Sequence, residues 1–347
     1  MPDISGFTKF VNNTELEHGI HIISELLELL IDNADIDLQL AEIEGDSLFM
    51  FTSKIPNYQQ LVAQTTKMLE AFHKHTRSYE SKRICNCGSC RTTTNLELKF
   101  LVHYGDLAFM QVKDFVKPYG SDVIKIHRLL KNNVPVNEYI LLTNDAFKYY
   151  EDQLDETWIK KSSSFDFGSI NYFYKNLESH TEVDQSQSDI TENENIEIFT
   201  PELTLENTFN ANIQSIYTCL SELKYRHLWD KEVKSMDFDE HKVNRVGTQH
   251  NCVLNFGKFN FETTSSKSTD TLMYGEKTKD MMFTTKYSYV IKLNEIDSNK
   301  TNVELDVFLD FTTLGSFMKS NILKVVTKSW ENKLKNLHEL SKKHIQS

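Results

Sequence analysis

Two short segments bring carboxylates to places where a chain can aim them at a cation. DISGFTKF, residues 3–10, sets Asp3 ahead of a Ser-Gly turn, an aromatic residue and a threonine, with a helical pattern following. EIEGDSLFMF, residues 42–51, sets Asp46 after Gly45 at the tip of a hairpin. Carboxylates converging from adjacent strands can hold two Mg²⁺ ions, which neutralise a triphosphate and activate an attacking hydroxyl. The amides of Ser5, Gly6, Phe7 and Thr8, just before a helix, could hold phosphate oxygens. Arg128, on a later helix, could stabilise charge on a transferred phosphoryl group. On spacing alone, the plainer reading of both aspartates is that they are ordinary turn residues.

A second cluster is thiol-based. RICNCGSC, residues 83–90, places Cys85, Cys87 and Cys90 on one Gly-containing loop. Three thiolates could bind Zn²⁺, with a fourth ligand from His73, His75 or another chain. A redox-reactive thiol cluster and an inert loop are the alternatives. Cys219 and Cys252 stand singly in regular elements and read as small core residues.

The positioning elements divide at SHTEVDQSQSDITENEN, residues 179–195, which is acidic and nearly devoid of large apolar side chains. It cannot bury enough surface to offset its ordering entropy and reads as a flexible linker between residues 1–178 and 196–347. In the first half, Thr14 and Glu17 form a capping-box pair. The helix after it carries Ile20, Ile23, Leu26, Leu27, Leu30 and Ile31 on one face. Strands at about 36–44 and 47–52 make the Asp46 hairpin, and a helix follows at about 57–76. A strand at 96–102 runs through Gly105-Asp106 into a hairpin with 107–112. A helix at about 120–131 and a strand at about 138–143 complete an α+β sandwich on a mostly antiparallel sheet. The second half reads as a strand at 197–207 and a helix near 210–222. Strands at 251–256, 258–264, 271–275, 282–293 and 301–310 follow. A long helix from about 313 closes it, with Leu323, Val326, Trp330, Leu334 and Leu337 on its buried face.

The chain has 347 residues, 39% hydrophobic and 25% charged, which fits two globular domains. Its net charge of −12 argues against an unaided nucleic-acid or anionic-membrane surface. No apolar run approaches the roughly 18 residues a spanning helix needs, and no signal-peptide pattern opens the chain. Five cysteines without a disulfide-frame spacing fit a reducing, cytoplasmic setting.

DISGFTKF with EIEGDSLFMF resembles the paired signature of class III nucleotidyl cyclases, the adenylate and guanylate cyclase catalytic fold. LKFLVHYGDLAF resembles that family's strand and turn before a dimer-forming hairpin, and YGSDVIKIHRLL its transition-state helix. The resemblance spans about residues 3–175. It implies a ferredoxin-like α+β domain and a two-ion Mg²⁺ or Mn²⁺ seat formed by Asp3, Ile4 and Asp46. It also implies triphosphate contacts at Phe7 and Thr8, and base-recognition positions at Glu42 and Lys117. Arg128 takes the catalytic arginine position and would act across a homodimer. The pattern departs at Ile124, where the family has a ribose-orienting Asn, and Lys160 and Lys161 match its triphosphate Lys imperfectly. The family's first metal Asp ends a longer apolar strand, so Met1 is expected to be a shortened start.

NTFNANIQSIYTCLSELKYRHLWDKEVKSMDF resembles the opening of the START-like helix-grip (SRPBCC) superfamily, over about residues 197–345. That implies an antiparallel sheet around the long C-terminal helix and an apolar small-molecule or lipid ligand. Phe256, Phe259, Phe261, Met273, Phe283, Tyr287, Tyr289, Phe308, Phe317 and Trp330 could line its cavity or simply form core. His227 and His250 read as polar surface or structural groups. The function expected is metal-dependent binding, with cyclisation open, of a nucleoside triphosphate under control of an apolar-ligand domain. The alternatives are an inactive cyclase-fold binding module and a lipid or small-molecule carrier.

Overall fold

The computed structural model describes residues 1–12, 16–85, 87–177, 200–255, 257–264 and 272–343. Within it, Asp3 sits on β1 (Pro2–Ser5), a strand buried at all four positions. The chain divides into two compact units, Met1–Ser81 with Cys87–Ile190, and Lys82–Asn86 with Thr191–Ser347. The expected 179–195 linker, the Thr14 cap and Phe256 lie outside the described residues.

After β1 come α1 (Phe7–Asn12) and α2 (Leu16–Asp32). The buried face of α2 is Ile22, Ile23, Leu26, Leu27 and Leu30, an i, i+4, i+8 stripe. Ile20, expected on that face, is 54% exposed because it lies one position off the stripe. β2 (Gln39–Glu44) begins three residues later than expected, since Ile36 and Asp37 adopt left-handed backbone (φ 51° and 53°) and make a turn. The two-residue turn Gly45-Asp46, with Gly45 at φ 61°, returns the chain into β3 (Ser47–Phe51). α3 (Tyr58–Lys82) runs past the expected end at 76 because Thr76 and Tyr79 continue the buried stripe of Leu61, Met68, Leu69 and Phe72. A short α4 (Gly88–Thr92) then leads into β4 (Glu97–Val102).

The hairpin expected between 96–102 and 107–112 does not form. β4 pairs with β1 on one side and β7 (Tyr139–Thr143) on the other, so neither of its edges is available. β5 (Ala108–Val112) instead pairs with β6 (Phe115–Tyr119) as a separate two-stranded ribbon, turning at Lys113 (φ 54°). α5 (Ser121–Leu129) and α6 (Asn144–Tyr150) flank β7. The hairpin β8 (Ile159–Phe165) and β9 (Gly168–Asn176) closes one sheet edge. The sheet order is β2-β3-β1-β4-β7-β9-β8, and β4–β7 is its parallel pair. β1 therefore lies between β3 and β4, which fixes Asp3 opposite both Ser47 and Lys99.

The second unit opens with β10 (Leu203–Phe209), and the Asn212 side chain caps α7 (Ile213–Ser221). α8 (Arg226–Trp229) and β11 (Val233–Asp237) follow; the alternation pattern did not reveal that strand. β12 (Gln249–Leu254), β13 (Gly257–Thr264), β14 (Leu272–Thr278), β15 (Thr284–Asp297) and β16 (Lys300–Phe311) complete an antiparallel sheet ordered β10-β16-β15-β14-β13-β12-β11. After α9 (Thr313–Phe317), α10 (Lys319–Lys343) buries Val326, Trp330, Leu334 and Leu337 in the core of this unit. Both units are thus α+β.

Leu98 is fully buried on β4, beside the Asp3–Lys99 pairing. Leu98→Ala is expected to cost about 2–5 kcal/mol through lost transfer energy and a residual cavity. Denaturant unfolding checks this; a loss below about 0.5 kcal/mol, the scatter of surface substitutions, would contradict it.

Candidate functional site

Asp3 and Asp46 are brought together by backbone pairing. The Ile4 amide donates to the Asp46 carbonyl at 3.0 Å, and Asp3 faces Ser47 across the β1–β3 ladder. Ile4, the third expected member of the seat, is buried where these two carboxylate-bearing segments pair. Asp3 is only 6% exposed, and Lys99 Nζ sits 3.1 Å from its Oδ1. Burial pushes the Asp3 carboxyl up, against the pull of Lys99. Burial first, and then the charge of Asp3, push Asp46 up to about 6; Lys99 opposes this more weakly. The corner is thus two crowded carboxylates with one ammonium, an arrangement that favours additional positive charge, whether a proton or a metal ion.

The other expected residues fall into separate pairs. Glu42 on β2 accepts from Lys117 on β6 at 2.6 Å, so the two residues expected at base-recognition positions neutralise one another. Phe7 and Thr8 open α1, a helix of six residues, with Thr8 exposed. Arg128 on α5 lies 3.5 Å from Asp166, both well exposed. Its neighbour His127 pairs with Glu44 at 2.8 Å. Ile124 is 54% exposed. Lys161 donates to the Asn133 carbonyl and Lys160 stands over the Phe173 ring.

The thiol loop finds a partner on α2. His18 Nδ1 lies 3.3 Å from Cys87 Sγ and 3.5 Å from Cys90 Sγ, and with Cys85, two residues before Cys87 in the chain, this group could hold a metal ion. His73 and His75, the expected fourth ligands, are turned elsewhere on α3. His73 pairs with Glu138 at 2.7 Å and His75 with Glu25 at 3.0 Å, both carboxylates deeply buried.

Three groups escaped the sequence reading. Lys99 stands at a polar position of the alternating strand ELKFLV, where nothing in the segment marks it as a partner of Asp3. His18 stood on a helix face read only for its apolar residues. The third is Asp122. Despite its burial, hydrogen bonds from Lys125, the Asp106 amide and His103 hold it down to about 2. Gly105 makes room for that carboxylate, since a Cβ there would meet Asp122 Cγ at 2.5 Å.

In the second unit a cavity of about 80 Å³ is lined in part by Phe259, Phe261, Tyr287, Tyr289 and Trp330, together with Arg226, Asp230 and Lys333. That is space for two or three waters, and a lipid would require it to open. Phe317 is 86% exposed, away from the expected lining. His250 is 1% exposed and burial pushes its pKa down, so it is a neutral core group. Cys219 and Cys252 are fully buried, and burial raises their thiols to about 12 and about 11.

A family model described as a protein of unknown function (DUF2652) matches residues 23–139. An uncharacterized protein of Mycobacterium tuberculosis is 38% identical over 123 residues, 35% of this chain and 57% of that protein. The chain thus aligns with little more than half the length of that relative. Among solved structures, norcoclaurine synthase of Thalictrum flavum aligns over 41% of this chain and 94% of its own, at 11% identity and a TM-score of 0.34. A Thermus thermophilus protein aligns over 41% and 97%, at 20% identity and a TM-score of 0.33.

Because the folded pKa of Asp46 exceeds its ordinary value, the folded state binds more protons between pH 3.8 and about 6. Stability from this group is fully present below that window and is lost as pH rises through it; Asp3 acts in the same direction. Asp46→Asn is expected to flatten the melting temperature across the window and to raise it at neutral pH. Parallel wild-type and variant curves would contradict the assignment.

Proposed function

We propose that the first unit is a divergent class III nucleotidyl cyclase-like module that binds a nucleoside triphosphate with Mg²⁺ or Mn²⁺ at Asp3 and Asp46. The observation that carries this reading is the backbone pairing that sets Asp3 of β1 beside Asp46 of the β2–β3 turn, with Asp46 raised to about 6 by burial and by the charge of Asp3. A divalent ion entering there would relieve repulsion that the fold otherwise leaves to Lys99 and protons. Phe7 and Thr8 follow directly on the seat and would meet the phosphates; Glu42 and Lys117 would separate to meet the base.

The module binds without efficient turnover. Cyclisation requires the ribose 3′-hydroxyl to be held in line with the α-phosphorus while pyrophosphate leaves. Ile124 offers no hydrogen bond for that task. Arg128 would act across a homodimer formed through the β5–β6 ribbon, where Phe109, Met110, Val112, Phe115, Val116 and Tyr119 are exposed. We read the second unit as a START-like helix-grip domain, supported by its seven-stranded antiparallel sheet packed with α10. Its ligand would be a small molecule that enters by enlarging the cavity around Tyr287 and Trp330.

The test is calorimetry and pyrophosphate release on the full chain with Mn²⁺ and each of the four common ribonucleoside triphosphates. Saturable binding of at least one nucleotide is expected, weakened about tenfold or more in Asp46→Asn, which corresponds to about 1.4 kcal/mol or more. Pyrophosphate should stay at the variant's background. Absence of saturable binding would overturn the nucleotide reading. Release that vanishes in Asp46→Asn would make the protein a working cyclase and overturn the loss of turnover.

A further inference from the structure

We propose that His18, Cys85, Cys87 and Cys90 bind one Zn²⁺ ion as a closed, structural Cys₃His site that pins the thiol loop to α2. The inference is independent of the nucleotide reading. It begins with distances. His18 Nδ1 lies 3.3 Å from Cys87 Sγ and 3.5 Å from Cys90 Sγ. Zn–S bonds of about 2.3 Å and Zn–N bonds of about 2.0–2.1 Å at tetrahedral angles give an N–S edge of about 3.5 Å. The imidazole and two thiols therefore already stand at the edges of a zinc tetrahedron. Cys85, two residues before Cys87 in the chain, supplies the fourth donor.

The loop is built for this. Cys87 caps the short turn Gly88–Thr92, and the Cys90 amide donates to Cys87 Sγ at 3.4 Å. That hydrogen bond brings Cys87 and Cys90 to one side of the turn and favours the thiolate that a metal requires. The Arg91 amide donates to the Cys87 carbonyl, and Thr93 Oγ1 to the Ser89 carbonyl, fixing the turn behind the sulfurs. His18 is 9% exposed and Cys90 2%, so half of the donor set is withdrawn from water. Soft thiolates with one imidazole select zinc over Mg²⁺ or Mn²⁺, which prefer oxygen. Four protein ligands leave no open coordination position, which is the mark of a structural site. The ion would close a loop between His18 and Cys87, 69 residues apart in sequence, and its binding energy would add to folding energy.

The full chain, purified without added metal or chelator, should carry about one zinc per chain by elemental analysis. A thiol-modifying reagent should release it to a colorimetric chelator. Replacing the ion with Co²⁺ in the wild type should give the thiolate-to-cobalt charge-transfer and d–d bands of a tetrahedral S₃N site, a readout that needs no variant to fold. His18→Ala should lose the zinc, whereas His18→Cys, which supplies a fourth thiolate, should keep it; a merely structural histidine would not sort in that way. Removal of the ion should lower the melting temperature, and Zn²⁺ should restore it. The proposal is overturned by a small fraction of zinc per chain with no cobalt–thiolate bands. It is equally overturned by iron with inorganic sulfide, or by a native disulfide among the three cysteines in mass spectra of the alkylated protein.

Discussion

The first unit depends on an unfavourable electrostatic contact that its backbone enforces. β1 lies between β3 and β4, and the Ile4 amide clasps the Asp46 carbonyl, so the backbone holds Asp3 and Asp46 close enough for the charge of one to act on the other. Like charges so placed in a partly dry corner resist ionising together. Lys99 offsets part of this at Asp3, and Asp46 takes the remainder as a raised pKa. A fold indifferent to the site would gain by replacing Asp46, which lacks the Lys99 ion pair that Asp3 has, with a neutral side chain. An electrostatic penalty retained at one corner of an otherwise well-packed sheet accords with the cation seat proposed there.

The second unit resolves the same problem differently. Arg226 is buried completely, yet Glu276 lies 3.0 Å from Nη1, the Tyr289 hydroxyl accepts at 2.6 Å, and Asp230 lies 3.4 Å from Nε. Its guanidinium also stacks 4.4 Å from the Trp229 ring. Glu276 is held down by Arg226 in spite of its burial, and accepts from Tyr274. Here the interior charges are paired within the protein, with Lys333 closing on Asp230 from α10. Removing one partner of such a pair leaves a buried charge and typically costs about 3–5 kcal/mol. The turn Arg226–Asp230 is therefore the root of a buried ionic network, which helps to explain why the aromatic residues around it pack as core.

Much of this was legible because it rests on local pattern. The Gly45-Asp46 tip needs only a turn between alternating segments, and α10 shows its stripe of Val326, Trp330, Leu334 and Leu337 directly. What stayed hidden depends on which strands become neighbours. That β5 would pair with β6 follows from both edges of β4 being taken, a fact of sheet order and not of the LKFLVHYGDLAF stretch. His18 became the thiols' partner through packing of α2 on α4, whereas His73 and His75 drew attention by being nearer in sequence and were already committed to Glu138 and Glu25. Lys99 was invisible for a similar reason: its importance lies in the register Asp3↔Lys99, which no single segment encodes. The start of β2 was misplaced because Ile36 and Leu38 mimic strand alternation while the backbone at Ile36 and Asp37 is left-handed.

The most direct test of the proposed cation seat is a crystal structure of the full chain with Mn²⁺ and a non-cleavable nucleoside triphosphate, with manganese located by anomalous scattering. The account predicts a manganese peak bridging the Asp3 and Asp46 carboxylates, with phosphate oxygens completing its coordination and Lys99 drawn away from Asp3. Manganese bound elsewhere, with the Asp3–Lys99 ion pair intact and the triphosphate disordered, would contradict it.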